Sequence, residues 1–375
     1  MRKFKIYTLL TLSVFLFFGY FMFSWYTNNV EEKFFVNVYD WYGLFPKDVI
    51  RDFEKETGIK VRYDVYDSNE VLEAKLMATN SGYDVVFPSA SPYVARQIQG
   101  GVYQKINKAK LSNLKNLNPQ IVKEMKIIDP QMDYALPYYW GSLGILMDLR
   151  KVSELIANPK SLGYKLILDP ENMKKLSACG VSFLEEAIDV FPAVLRYLGK
   201  DGNSQKVEDL EKTFAILMNV RPFIRRFSSS RFINDIAMGD VCLAQAWSGE
   251  SLRAQELGRL LGREIIYYIP KEGSSLWIDC IAIPEGAPHP NNAHIFINFI
   301  LRPDISARIT NSNKIPTVIV DGYKLVEKEI RENQTIFPPK EILENLFIDK
   351  PLLTPEAQDF DRKRTRYWAR VRLNA

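Results

Sequence analysis

From about residue 34 onward, apolar positions switch repeatedly between a period of two and a period near 3.6. Phe34–Tyr39 reads as a strand. Pro46–Thr57 puts Val49, Ile50 and Phe53 on one helical face, with Gly58 where a C-cap asks for left-handed backbone. Val61, Tyr63 and Val65 alternate as a second strand. A helix follows over about Ser68–Asn80, then a short buried strand at Tyr83–Phe87. Strand–helix–strand–helix–strand with short connections predicts a parallel sheet covered by helices. Ligands of such sheets sit beyond the carboxyl ends of the strands, which singles out the loops Asp40–Phe45 and Pro88–Tyr93. The alternation returns over roughly 141–275, with strands at Gly144–Met147, Val241–Ala246 and Ile265–Ile269 and a helix through Phe191–Leu198. Trp277–Ile283 reads as a further strand and Asn291–Leu301 as a helix.

A chain of 375 residues exceeds one modest core, so two lobes of ordinary domain size are expected. Residues 1–27 stand apart: Arg2, Lys3 and Lys5 lead into an apolar run from Ile6 to Tyr26, the layout of a secretory signal. The run is long for a cleaved segment, and no small-x-small cleavage site stands out. Export is expected, and a cleaved signal and a retained membrane anchor are both open. Those three cations are set against totals of 49 basic and 45 acidic groups, so the body beyond them is nearly neutral. That argues against a nucleic-acid binder, which needs a basic face. The basic run Arg362-Lys363-Arg364-Thr365-Arg366 reads as a solvated helix face.

Motifs for chemistry are missing. His289 and His294 have no Cys or carboxylate at metal-ligand spacing, so no metal site is expected. No GxSxG elbow, Walker loop or GxGxxG occurs, and Ser228-Ser229-Ser230 reads as a polar turn. No catalytic residue and no cofactor are assigned; the chain reads as a binder and not an enzyme. Cys179, Cys242 and Cys280 include no CxxC pair, and in an oxidising compartment two of the three could pair.

Several segments resemble the bacterial spermidine/putrescine-binding proteins. They are Phe53-Glu54-Lys55-Glu56-Thr57-Gly58-Ile59-Lys60-Val61, Asp67-Ser68-Asn69-Glu70-Val71-Leu72-Glu73, Pro88-Ser89-Ala90-Ser91, Ile283-Pro284, Phe299-Ile300-Leu301-Arg302-Pro303-Asp304 and Asp361-Arg362-Lys363-Arg364-Thr365-Arg366. The resemblance runs from about residue 34 to the C-terminus and is strongest to the putrescine-binding branch. It implies an α/β fold of the type II periplasmic binding protein class, two α/β lobes joined by a hinge with the ligand cleft between them. The lobes would be 34–140 plus about 278–308, and 141–277 plus about 309–375. It also implies a Cys179–Cys242 disulfide, which would close a loop of about 64 residues and contribute roughly 4 kcal/mol by the chain-entropy argument. Cys280 would stay free.

A polyamine is an apolar chain with an ammonium at each end. Carboxylates must meet the ends, because a buried unpaired cation is very costly, and aromatic faces suit the methylenes. The positions matching the family's site supply both. Trp41, Trp247 and Trp277 correspond to an aromatic box. Asp279 and Glu250 match carboxylates that bind an amine, Glu250 being one methylene longer than its counterpart. Asp189, with Glu186 three residues earlier on the same helix face, matches further acids, and Ser89 matches a serine lining the pocket. One loop departs: Trp41 is followed by Tyr42, Gly43 and Leu44, where the family carries a hydroxyl residue, an acid and a tyrosine. A late tyrosine is replaced by Ile315. Tyr42 and Tyr93 are candidates to compensate by stacking.

The resemblance thus implies a monomeric periplasmic protein that captures putrescine or spermidine for an inner-membrane ABC permease. Tethering by the N-terminal segment would leave room for a second reading, a membrane-anchored polyamine sensor feeding a signalling partner.

Overall fold

The computed structural model describes residues 34–78 and 81–374. Ten strands form one extended sheet: β1 (Phe35–Trp41), β2 (Lys60–Tyr66), β3 (Val85–Val86), β4 (Ala135–Asp148), β5 (Val181–Phe183), β6 (Arg226–Phe227), β7 (Leu243–Trp247), β8 (Ile265–Tyr268), β9 (Ser275–Ala282) and β10 (Phe347–Ile348). The order is β2-β1-β3-β9-β4-β7-β5-β6, with β8 paired to β4 and β10 to β9.

The first lobe follows the predicted pattern. β1 pairs in parallel with β2 and β3. Helix α1 (Lys47–Thr57) buries Val49 and Phe53 and stops at Gly58, whose φ of 73° lets its N–H return to the Glu54 carbonyl at 2.9 Å. Helix α2 (Asn69–Met77) starts one residue after Ser68, whose hydroxyl accepts from the Val71 N–H at 3.3 Å. The strand expected over Tyr83–Phe87 shrinks to Val85–Val86, because Asp84 is fully buried and turned to His289.

The largest difference lies in β4. The expected strand Gly144–Met147 is one part of a fourteen-residue strand buried along its whole length. Its Ala135–Ser142 stretch pairs with β9, and its Leu143–Asp148 stretch with β7 and β8. Pro137, Gly141 and Gly144 interrupt any strand pattern in the sequence, and the ladder slips register between Pro137 and Tyr139 to accommodate the proline. This antiparallel pair carries the chain from one lobe to the other. Residues 309–319 lie against the first lobe: Thr317 bridges Tyr139, Ile319 bridges Leu117, and the Asn313 amide donates to the Leu44 carbonyl at 3.0 Å.

The second lobe places helix α3 (Ala187–Tyr197), helix α4 (Val207–Val220) and helix α5 (Ser248–Leu260) around β5, β6 and β7, and the chain ends in helix α6 (Pro355–Leu373). Cys179 and Cys242 are joined, with Cα atoms 5.4 Å apart, and Cys280 is a free, fully buried thiol. Arg362, Lys363 and Arg366 lie on α6, as the solvated-face reading expects. Among the described residues no helix is long and apolar enough to cross a membrane. The signal or anchor read in residues 1–27 lies outside the described residues, as do Thr79 and Asn80 of the expected second helix.

Candidate functional site

β9 alternates between the core and an open face. Leu276 and Ile278 are buried, while Trp277 and Asp279 are half-buried on the other side. Asp279 is held from the first lobe: the Ser89 hydroxyl donates to its Oδ1 at 2.6 Å and the two residues bridge as isolated strand partners. Ser89 is fixed in turn by Asn69 at the start of α2. The Asn69 amide donates to Ser89 Oγ at 2.9 Å, and its carbonyl oxygen accepts from the Ser89 N–H at 3.0 Å.

Glu250 approaches from the second lobe on the first turn of α5. Burial pushes the Asp279 carboxyl up to about 7, and the negative charge of Glu250 adds to the shift. Burial raises Glu250 as well. Neither carboxylate has a cation within ion-pairing distance among the described residues, although the charge of Arg253 reaches Glu250 and works against its upward shift. Two neighbouring desolvated acids with no cation in contact are costly as they stand and favourable around an ammonium.

Trp41, at the end of β1, is anchored by its indole N–H donating to the Phe87 carbonyl at 3.0 Å and packs at 4.7 Å between ring centroids on Tyr66. Trp277 lies flat over Gly141: a Cβ there would sit 2.2 Å from Trp277 Cζ2, so only glycine admits the ring. Trp247 ends β7, packs on Phe232 and reaches Asp189 with its side chain. Burial pushes Asp189 up to about 7; the charges of Asp349 and Glu186 add to this, and Trp247 works against it. The structure thus joins Ser89 to Asp279 with Glu250 nearby, and Trp247 to Asp189.

Three further candidates are held differently from these. Glu186 is exposed at the N-cap of α3 and not on its face, because the helix begins only at Ala187. Tyr42 is 80% exposed at the loop tip, held only through its backbone N–H to the Tyr66 carbonyl, so it does not stack in the site. The Tyr93 hydroxyl donates to Glu70 and its ring receives Arg96, which occupies it outside the site. Ile315 lies against Gly249, 3.9 Å from the point where a Cβ would be.

Sequence reasoning missed two acids. Asp40, directly before Trp41, is fully buried and accepts from the Trp41 N–H at 2.7 Å and the Tyr63 hydroxyl at 3.0 Å. It faces inward and does not replace the acid missing after Trp41. Asp349 follows β10 and accepts from the Ser275 hydroxyl at 3.3 Å; burial pushes it up to about 7 against the pull of Arg364. Near it opens a cavity of about 350 Å³ whose walls include Ser91, Phe191, Thr213, Leu352, Asp349 and Arg364. Trp41, Ser89 and Asp279 do not line this cavity, so it adjoins their cluster and is not the same space.

The profile of the bacterial extracellular solute-binding protein family matches residues 80–344. The chain belongs to this family. Among relatives of this solute-binding protein is the putrescine-binding periplasmic protein PotF of Escherichia coli (strain K12), 43% identical over 90% of the chain and 91% of the relative. A second is the putrescine-binding periplasmic protein SpuD of Pseudomonas aeruginosa (strain UCBPP-PA14), 39% identical over 90% and 91%. The spermidine/putrescine-binding periplasmic protein of Escherichia coli (strain K12) is 34% identical over 82% and 84%. Among solved structures, the spermidine/putrescine ABC transporter substrate-binding protein PotD of Streptococcus pneumoniae superposes with a TM-score of 0.79 at 22% identity, covering 89% of the chain and 99% of that protein. The solute-binding protein thus has the two-lobed α/β fold of the type II periplasmic binding class. The sensing alternative draws no support from these relatives.

Proposed function

We propose that this solute-binding protein captures a polyamine, putrescine first, in the periplasm and delivers it to an inner-membrane ABC permease. The single observation that carries the reading is the neighbouring pair Asp279 and Glu250, desolvated and with no cation in contact, each a turn or less along the chain from a half-buried tryptophan. An ammonium satisfies both acids, and Trp41, Trp247 and Trp277 offer faces to the methylenes, each well-placed cation–π contact adding about 0.5–2 kcal/mol. Ser89 holds Asp279 in the orientation that meets the amine. Asp189 stands at the other side of Trp247 and takes part at the far end. The names of the relatives, binding proteins for putrescine at 39–43% identity, support the same class.

In this reading the two lobes divide at β4 and β9, near residues 140 and 278, and the protein works as a monomer with no cofactor, no nucleic acid and no turnover of its ligand. Calorimetric titration of the purified protein with putrescine, cadaverine, agmatine, spermidine and spermine tests it. Tight, reversible binding of a member of that panel is the expected result. Heatless titrations across the whole panel refute polyamine capture and leave only the fold.

A further inference from the structure

The helix Pro303–Asn313 meets α5 across the line where the lobes divide. That helix is bound to the first lobe. Arg308 pairs with Asp48 and, at 2.8 Å, with Asp52 of α1, Arg302 just before it pairs with Glu56 at 2.9 Å, and the Asn313 amide donates to the Leu44 carbonyl. α5 belongs to the second lobe, since it follows directly on β7. Gly249, Leu252 and Glu256, spaced by three and four residues, fall on one side of α5, and each meets the other helix or the turn after it. The Ile315 side chain lies 3.9 Å from the point where a Gly249 Cβ would be. Leu252 packs in a cluster with Ala307, and Glu256 pairs with Lys314. Glu250 lies about 100° round the helix from Gly249, toward the acid cluster.

Lys314 is an unusual residue for its place. It caps the C-terminus of its helix with φ at 60°, a left-handed position where glycine is the ordinary choice. The turn around it is fixed: the Lys314 N–H donates to the Thr310 carbonyl at 2.8 Å, the Ile315 N–H to Asn313 Oδ1 at 2.8 Å, and the Thr310 hydroxyl to the Ile315 carbonyl at 3.1 Å. Glycine would relieve the backbone and lose the ammonium, and what the ammonium reaches is Glu256 in the other lobe. Leu252 is buried in an apolar cluster apart from the main core, with Ala307, Val326, Ile330 and Ile336. Ala307 lies on the helix Pro303–Asn313, and the Glu327 N–H donates to Asn311 Oδ1 at 3.0 Å, which ties the following segment to that helix. Leu252 is thus inserted from the second lobe into a cluster assembled on that helix.

Glu256 and Lys314 are half-exposed, so their pair adds little to folding. A contact made only when the lobes are together acts on a different balance. It weighs on the ratio of closed to open forms, and apparent affinity follows the closed fraction. Burial of Leu252 weighs on the same ratio by removing apolar surface from water. We propose that Glu256 and Lys314, backed by Leu252, form a clasp between the lobes that stabilises the closed form and sets how long a captured ligand stays, whatever its chain length. They are positioning residues, which act on the ligand through closure and not by touching it. The clasp rests on the capture reading above and on its division of the lobes at β4 and β9.

The test compares wild type, Glu256→Lys, Lys314→Glu and the double exchange of both, by calorimetric titration with putrescine, cadaverine and spermidine and by stopped-flow tryptophan fluorescence. Salt is held at about 0.15 M, where charges more than about 8 Å apart are largely screened. Each single reversal should weaken every bound amine by one common factor of about three to ten, through faster dissociation. Both should weaken, although one adds positive charge and the other negative. The double exchange should return affinity and dissociation rate to within about twofold of wild type, a rescue that a merely structural role would not produce. Opposite effects of the two reversals, factors that differ between amines, or an exchange as weak as the single reversals would overturn the clasp. If wild type binds amines and the variants match it, only the clasp fails. If wild type binds no amine, the polyamine reading fails, and small-angle scattering of the chain alone then judges the clasp. A radius of gyration enlarged by each reversal and restored by the exchange upholds it, and equal radii overturn it.

Discussion

Asp279 and Asp349 stand at opposite ends of one strand face, yet they are held by different kinds of structure. Asp279 belongs to β9 itself, and its carboxylate is fixed by Ser89, which Asn69 fixes in turn. That is a chain of short hydrogen bonds running from β9 through the Ser89 loop to the start of α2. Asp349 sits on the irregular segment after β10, with one longer contact to Ser275 and a cavity beside it. Carboxylates placed by strands and double hydrogen bonds are pre-organised, and those on connecting segments adapt. Asp279 is therefore held in one orientation, and Asp349 keeps more freedom to move.

Asp279→Asn breaks this comparison most severely. It leaves an ammonium without its fixed partner, and diamine affinity should fall at least about a hundredfold while the cooperative unfolding transition is retained, by calorimetry and thermal unfolding. Retained affinity would show that Asp279 does not anchor the ligand.

Acidification acts on both ends together. Asp189, Asp279 and Asp349 are pushed up to about 7, so cation binding requires them to lose protons, and affinity should drop about tenfold or more between pH 8 and pH 5. The sign for stability is the reverse of the usual carboxylate case. The ligand-free folded protein holds these protons and the unfolded chain does not, so stability should fall as pH rises from about 4 to about 7 and level off above. Saturating diamine should flatten that profile, and a profile that is flat without ligand would contradict the burial of these acids.

Gly141→Ala sharpens the comparison from the middle of the site. The added Cβ collides with the Trp277 ring, so the ring must shift, with about 1–3 kcal/mol of destabilisation and a loss of diamine affinity of about tenfold. Reducing the Cys179–Cys242 bond should touch neither end: stability should fall by about 2–4 kcal/mol in denaturant unfolding, with affinity within twofold. The smallest effect is expected for Gly43→Asp. With φ at 78° and no neighbour near its Cβ position, an acid there meets backbone strain and open space, and affinity should stay within threefold.

The sequence pattern conveyed the first lobe well because β1, α1, β2 and α2 obey local rules: alternation, one apolar helix face, a glycine C-cap and a serine N-cap. It failed at β4, where Pro137, Gly141 and Gly144 hide a single long strand that only its partners define. Trp41, Trp247, Trp277, Ser89, Asp189, Glu250 and Asp279 stand as candidates through their joint resemblance to one family's site, which composition and spacing alone do not reveal. Asp349 had no such signal. It lies seventy residues beyond Asp279 in an unpatterned stretch, and its partners Ser275 and Asp189 come from two other elements. Asn69 falls in a segment that resembles the family, but its grip on Ser89 is a tertiary fact. Glu186 shows the reverse error: a helical spacing counted one residue before the helix begins.

Cys280 gives this protein a built-in clock. Its thiol is fully buried against Met125, and burial pushes its ionisation far up, so it is doubly shielded from alkylating reagents. Labelling must wait for β9 to separate from its neighbours, and the labelling rate therefore counts how often the centre of the sheet opens. A ligand that ties Asp279 on β9 to Glu250 on α5 should slow that rate in proportion to its occupancy. A single unmodified side chain would then report binding as lost reactivity.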